Sequence, residues 1–349
     1  MQGEGKYMPG KKIAVLGTGA NGSCTGADLT RAGHDVVLID QWPAHVEAMR
    51  KDGLRIQMPE EELHLPVRAY HLCDVCTLNQ KFDIVLLMTK AYDARWMAEF
   101  IKPYLADDGL LVGVQNSMTV DDLTEIVGPK RTIGCVVELS SEVYTPGLVL
   151  RNTPPKRTWF AIGSLDPATD HWLPEIEAIL KDVGKVSISN NIQSAKWMKV
   201  VVNCMTMGVK SMMGMTSGEI FQIPGVREMM LRSGEEALAA GQALGYKIEP
   251  IIGLKPEDAQ GSNRFLENLL DKMTVDVGPT AKNAMLQDHI KGRRTEIDNI
   301  NGLVVDESRR LGLRTPVNDV LVVINRRITA GELKPDAANL EMALSMLKH

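Results

Sequence analysis

From Lys12 to Val137 the chain alternates short aliphatic and β-branched runs with stretches of helical apolar spacing. Lys12–Gly17 (KIAVLG) reads as a buried strand, and the glycine-rich turn after it opens a helix over about Ser23–Ala32. Asp35–Asp40 (DVVLID) follows as the next strand; Asp83–Met88, Leu110–Val114 and Thr132–Val137 have the same character. Helical spacing fills Asp93–Leu105 and Asp121–Val127 between them. Repetition of strand, crossover helix and strand predicts a parallel sheet with helices on both faces. From Val143 to Ser189 the pattern turns irregular around Pro146, Pro154, Pro155 and Pro167, where antiparallel edge strands, a helix over Trp172–Val183 and a closing strand are expected.

Beyond Asn190 the pattern becomes almost purely helical: Ile192–Met213, Val226–Leu244, Glu257–Val275, Thr295–Leu311 and Val317–Thr329. Gly245, Pro250, Pro256, Pro279 and Pro316 punctuate these stretches. The change predicts an α/β domain over 1–189 and an all-helical domain over 190–349, as expected for 349 residues at about 150 per domain.

Composition narrows the function classes. Hydrophobic residues at 44% and charged residues at 24% describe a globular chain. A net charge of −5 and a pI near 5.9 argue against nucleic acid or an anionic membrane as main partner. No apolar run approaches the ~18 residues of a membrane span, and no secretory signal is readable at the N-terminus. Five cysteines make no disulfide framework, so a cytoplasmic protein acting on a small molecule is expected. The isolated Cys73-x-x-Cys76 and the Met205–Met215 stretch do not read as metal sites, and none is expected.

Gly17-Thr18-Gly19-Ala20-Asn21-Gly22 fits G-x-G-x-x-G in its required context, after a strand and opening a helix. The first glycine permits the tight turn, the second lets backbone approach a pyrophosphate, and the third allows close helix–strand packing. Asp40 ends the second strand about 20 residues later, where an acidic residue binds the ribose 2′-hydroxyl and repels a 2′-phosphate. Gln41 and Trp42 follow and no arginine adjoins it, so NAD is expected over NADP. In the helical half, Lys199 and Asn203 share one face of an otherwise apolar helix. A lysine in such surroundings loses hydration, which makes it a usable proton donor near neutral pH. Glu296, at the margin of an apolar stripe formed by Ile297, Ile300 and Val304, reads on its own as part of a solvated charge cluster.

Several motifs run in order along the chain: GTGANG, Met88-Thr89-Lys90-Ala91-Tyr92, Gln115-Asn116-Ser117, WMKVVVNC, MLQD followed by GRRTEID, and Thr315-Pro316-Val317-Asn318. Together they resemble the ketopantoate reductase (2-dehydropantoate 2-reductase) family. The resemblance implies a Rossmann domain followed by a helical domain related to that of 6-phosphogluconate dehydrogenases, with the active site between them and a homodimer through the helical half. It also implies that Lys199 is the general acid, that Asn116 bridges nicotinamide ribose and substrate, and that Lys90 sits at the end of a cofactor-domain strand. By the same resemblance Asn203 contacts substrate and Glu296 orients substrate and cofactor. Two substrate positions depart from the family: Ala284 stands where a serine binds the substrate carboxylate, and Met207 stands where a second asparagine is found. Asp40 replaces a basic residue typical of NADPH-preferring members. The expected function is therefore an NAD-dependent oxidoreductase interconverting a secondary alcohol and a ketone, a 2-hydroxy acid or a bulkier alcohol. Reduction of ketopantoate itself and a non-catalytic dinucleotide-binding regulator are the alternatives.

Overall fold

The computed structural model describes residues 10–253 and 264–348. Its first half runs β1 (Lys12–Leu16), α1 (Ala20–Arg31), β2 (Asp35–Asp40), α2 (Pro43–Asp52), β3 (Leu54–Gln57), β4 (Glu62–Leu65), β5 (Ala69–His71), β6 (Phe82–Leu87) and α3 (Ala94–Ile101). It continues through β7 (Leu105–Gly113), α4 (Val120–Val127), β8 (Thr132–Glu138), β9 (Ser141–Thr145), β10 (Leu148–Arg151), β11 (Trp159–Ser164), α5 (Leu173–Lys181) and β12 (Lys185–Ile188). The main sheet has the order β12-β11-β8-β7-β6-β1-β2-β5. It is parallel except where β11 runs against β8. Both faces are covered, because successive residues of a strand point to opposite sides: Ile13 and Val15 enter one core, Ala14 and Leu16 the other.

The parallel sheet expected from the sequence is present, with three differences. Leu105 begins β7 rather than ending a helix, since α3 stops at Ile101 before Pro103. The irregular stretch does not supply only edge strands to the main sheet. Instead β9 and β10 join β3 and β4 in a separate sheet of order β4-β3-β10-β9, which the sequence reading missed with α2. Third, β11 is an internal antiparallel strand and β12 closes the edge.

After β12 the described residues contain helices and no further strand. They are α6 (Ile192–Met213), α7 (Ser217–Ile220), α8 (Val226–Ala243), α9 (Phe265–Val277), α10 (Ala284–Ile290), α11 (Asn301–Arg310), α12 (Pro316–Thr329) and α13 (Asn339–Met346). The expected helix Glu257–Val275 lies partly outside the described residues; its described part belongs to α9. The helix expected from Thr295 begins only at Asn301, because the Gly302 N–H reaches back to the Ile297 carbonyl and residues 297–300 form turns. Only one residue of α6, Gln193, escapes burial, which marks it as a central helix rather than an amphipathic one. Val136, Trp159 and Ala161 of the main sheet pack into the same core as α6, so the sheet and the helices meet along it.

The separate sheet is tied to α1 by a buried ion pair. Arg151 donates to Asp28 at 2.5 Å, to the Thr153 carbonyl at 2.8 Å and to the Thr158 hydroxyl at 2.9 Å. Neutralising one partner leaves the other charge desolvated, at a cost of about 3 kcal/mol. Asp28→Asn should therefore lower the urea midpoint substantially. Asp122→Asn, which loosens only the exposed pair with Arg95, should cost under about 1 kcal/mol. Equal shifts for the two variants would contradict the assignment.

Candidate functional site

The turn after β1 is built by its glycines. Gly17 has φ +93°, and a side chain there would strike Thr89 at 2.6 Å. A Cβ on Gly22 would sit 2.2 Å from the Gly17 carbonyl oxygen, so only glycine lets α1 pack onto the turn. Gly19, the N-cap of α1, has nothing within 4 Å of the place a side chain would occupy. That open space faces the unpaired N–H groups of the first helical turn, beginning with Ala20 and Asn21. A cavity of 410 Å³ opens over this turn. Gly17, Gly19, Ala20, Asn21 and Gly22 line it together with Asp40; from the other side come Lys90, Asn116, Ala284 and Glu296. The open cradle at Gly19 and the free helix terminus fit the pyrophosphate of a dinucleotide.

At one end of the cavity, Asp40 accepts the Trp42 N–H at 2.8 Å and the Thr18 hydroxyl at 3.4 Å. Burial pushes its carboxyl above the usual value, against those hydrogen bonds and the nearby charge of Arg293. No arginine adjoins Asp40 in the sequence, but the fold brings one near it. Arg293 arrives from the helical half and lies 4.8 Å over the Trp42 ring, a neighbour that adjacency in sequence could not reveal. His45 stacks beneath Trp42 with ring centres 5.3 Å apart. Its Nδ1 accepts the Gly147 N–H at 2.9 Å, and burial pushes the imidazole down to about 4, so it is neutral.

At the other end, side chains from both halves converge. Lys199 on α6, 7% exposed, donates to the carboxylate of Glu138, 5% exposed, at the carboxyl end of β8. The lone desolvated lysine expected from the sequence is therefore half of a buried ion pair. One turn along, the Asn203 amide donates to the Asn116 side chain at 3.1 Å. Asn116 lines the cavity; Lys199, Asn203 and Met207 do not. Met207 offers its carbonyl to the Asn283 amide at 3.1 Å, which brings α6 against the start of α10, where Ala284 sits. Glu296 is no solvated charge: it is 3% exposed and accepts the Ala91 N–H at 2.9 Å and the Lys90 ammonium at 3.5 Å. Lys90 also donates to Asp288 at 2.5 Å. Burial works against the Lys90 charge, but Glu296 and Asp288 outweigh it and hold the ammonium above the ordinary lysine value.

Four neighbours were not singled out by sequence reasoning. Glu138 closes a strand that appeared to end at Val137, and a carboxylate just after a parallel strand was a readable signal. Asp288 lay inside the quoted MLQD motif. Arg293 had no local signal as a neighbour of Asp40. Lys196, one turn before Lys199, donates to the Gln115 and Cys135 carbonyls at 2.8 and 3.2 Å, and burial pushes it down to about 8.

Comparison with known proteins gives a consistent picture. A family model described as ketopantoate reductase PanE/ApbA matches residues 13–164, and its C-terminal counterpart matches residues 191–328. The chain is 29% identical to a 2-dehydropantoate 2-reductase of Mesorhizobium japonicum, over 91% of its own length and 97% of that protein. It is 27% identical to one from Lactococcus lactis, over 89% and 95% of the two chains. Among solved structures, a PanE/ApbA family ketopantoate reductase from Ralstonia eutropha superposes with a TM-score of 0.76 at 27% identity, covering 92% and 99%. A D-mandelate dehydrogenase in complex with NADH and anilino(oxo)acetate shares the fold, with a TM-score of 0.80 at 22% identity over 91% and 98%.

Proposed function

The chain belongs to the ketopantoate reductase family of oxidoreductases acting on CH–OH groups, and from that premise we propose that it interconverts a 2-hydroxy acid and its 2-keto acid with NAD(H). The observation that supports this reading is the meeting of Lys199, Glu138, Asn203 and Asn116 beside the cavity that opens over the glycine turn. Gly17–Gly22 would hold the pyrophosphate and Asp40 the ribose hydroxyls. A bound nicotinamide supplies or takes the hydride; the chain's own residues handle position and proton. Lys199 keeps N–H donors beyond the one given to Glu138, and one of them reaches the ketone oxygen and delivers the proton. Glu138, as its hydrogen-bond acceptor, would aim that lysine. Asn116 and Asn203 orient the reacting group, while Glu296, braced by Lys90 and Ala91, faces the cavity from the helical half. On this reading residues 1–189 hold the cofactor and 190–349 complete the substrate site. The same reading has the protein act in the cytoplasm on a small molecule, with neither nucleic acid nor membrane as partner. Among the described residues no helix is long and apolar enough to cross a membrane. It pairs as a homodimer through the helical half, where Val323, Leu344 and Met346 stand exposed.

The cofactor preference should follow Asp40. kcat/KM should be higher with NADH than with NADPH, and Asp40→Ser with Gln41→Arg should relax the difference. Arg293→Ala should widen it, since a cation whose charge acts on Asp40 is removed. Equal or better turnover of NADPH by the unmodified protein would refute this role for Asp40.

Lys199→Ala should depress kcat by at least ~10²-fold, the usual contribution of a positioned acid or base, with little change in NADH affinity. Near-normal turnover in that variant would remove Lys199 from the proton step.

Ala284 lacks the hydroxyl that would grip a small acid, and Met207, one helical turn beyond Asn203, has an apolar thioether where a polar amide would be needed. A hydrogen bond to a charged group is worth about 1.5–3 kcal/mol, so ketopantoate should be a poor substrate. Ala284→Ser with Met207→Asn should improve it. A kcat/KM for ketopantoate near ~10⁵ M⁻¹ s⁻¹ in the unmodified protein would instead make ketopantoate the native substrate.

A further inference from the structure

Lys90, Lys291 and Arg293 bring their cations to the cavity over the glycine turn. Lys90 is held by Asp288 and Glu296, and Arg293 lies over Trp42 at the Asp40 end. Lys291, which caps the end of α10, is half-buried and donates to the Val143 carbonyl at 3.4 Å, near the limit of a hydrogen bond. Its ammonium also stands 5.4 Å from the centre of the Tyr144 ring. Among the described residues no carboxylate forms an ion pair with it. An ammonium has three N–H donors, so two remain for a ligand. Burial pushes Lys291 down to about 8; the charges of Asp288 and Glu142 oppose that shift, and those of Lys90 and Arg293 add to it.

The wall that carries Lys291 is tied to the start of α1. Gln287, one turn before Lys291, donates to the Ser141 carbonyl at 3.0 Å. The Ser141 hydroxyl donates to the Asn21 side chain at 2.6 Å, in the first turn of α1. Gln287, Ser141 and Asn21 all line the cavity with Lys291. A dinucleotide pyrophosphate would bring two negative charges to this place. Gly17–Gly22 has no charged side chain, and a helix N-terminus counts for only about half a positive charge. The glycine turn therefore offers shape and hydrogen bonds but too little counter-charge.

We propose that Lys291 completes the pyrophosphate seat from the helical half, donating to a phosphate oxygen of the cofactor across the cleft from the glycine turn. This rests on the dinucleotide site proposed above. The turn supplies backbone N–H groups and Lys291 the missing charge, so both halves of the chain grip the phosphates. Asp40 tells one cofactor from another at the ribose. Lys291 meets a group that NADH, NADPH and ADP-ribose share, and so contributes affinity without preference.

The test is calorimetric titration of the full chain with NADH, NADPH and ADP-ribose. Lys291→Met should weaken NADH and ADP-ribose by a similar factor of ~10 or more, and Lys291→Arg should recover part of the loss. Added salt should weaken ADP-ribose binding less in Lys291→Met than in the unmodified chain, because one screened ion pair is gone. A merely structural role for Lys291 would leave that salt dependence unchanged. Lys282→Met, which removes a lysine of the same segment outside the cavity lining, should stay within ~3-fold. ADP-ribose binding by Lys291→Met within ~3-fold of the unmodified chain, an unchanged salt dependence, or an equal loss in Lys282→Met overturns the proposal. So does a loss confined to NADPH, which would place the lysine at a 2′-phosphate. If Lys291→Met is poorly folded by circular dichroism, Lys291→Gln takes its place under the same criteria. Turnover separates the seat from the functional reading. NADH bound equally by the unmodified chain and Lys291→Met overturns the lysine's role and leaves the dinucleotide site standing. Lys291-dependent binding of ADP-ribose in a protein that turns over no 2-keto acid supports the seat and refutes the proposed substrate class. No binding of any of the three ligands refutes both.

Discussion

Burial of α6 among both halves of the chain is the constraint on which the rest of the site depends. A helix with lysines at 196, 199 and 210 and almost no exposed face must satisfy each ammonium internally, since an unpaired buried charge costs several kcal/mol. Two of those needs are met by β8 and by the segment that follows β7. Lys196 takes the carbonyls at Gln115 and Cys135, and Lys199 takes the carboxylate at Glu138. Asn203 continues the series to Asn116. The pairings set the register of the helix against β7 and β8, and so bring Lys199 to the strand ends, the side on which open parallel sheets bind their ligands.

The same logic holds the opposite wall. Lys90 reaches from the end of β6 to Asp288 and Glu296, and the Ala91 N–H completes the Glu296 contacts. Arg293 spans to Trp42 beside Asp40. The cavity is therefore closed by charged contacts at its margins, while its floor is backbone left bare by glycine. On the function proposed above, a cofactor on such a floor would meet mostly backbone at its phosphates, which leaves the Asp40 end to discriminate between cofactors.

Much of this was legible because it is local. The strands β1, β2, β6 and β8, the helices α6, α8 and α12 and the glycine turn follow from periodicity and spacing within a dozen residues. What escaped was non-local or short. The β4-β3-β10-β9 sheet consists of four- and five-residue strands, and β3 pairs with β10 from far along the chain. Glu138 was hidden because an apolar run stops one residue before it, although the strand does not. Glu296 was misread from the residues alone because its partners, Lys90 and Ala91, lie in the other half. Resemblance to a family assigned it a role, and only the fold supplies the physical reason for its burial.

The central claim is that hydride passes directly between a nicotinamide and a 2-keto carbon held against Lys199. Deuterium tracing tests it most directly: the protein is incubated with NADH stereospecifically deuterated at C4 of the nicotinamide and with a panel of 2-keto acids, and the products are read by mass spectrometry and chiral chromatography. The account predicts deuterium at the carbinol carbon of a single enantiomer, with one of the two C4-labelled forms transferring it and the other not. NADH oxidation without label in the product, a racemic product, or no oxidation with any 2-keto acid would contradict it.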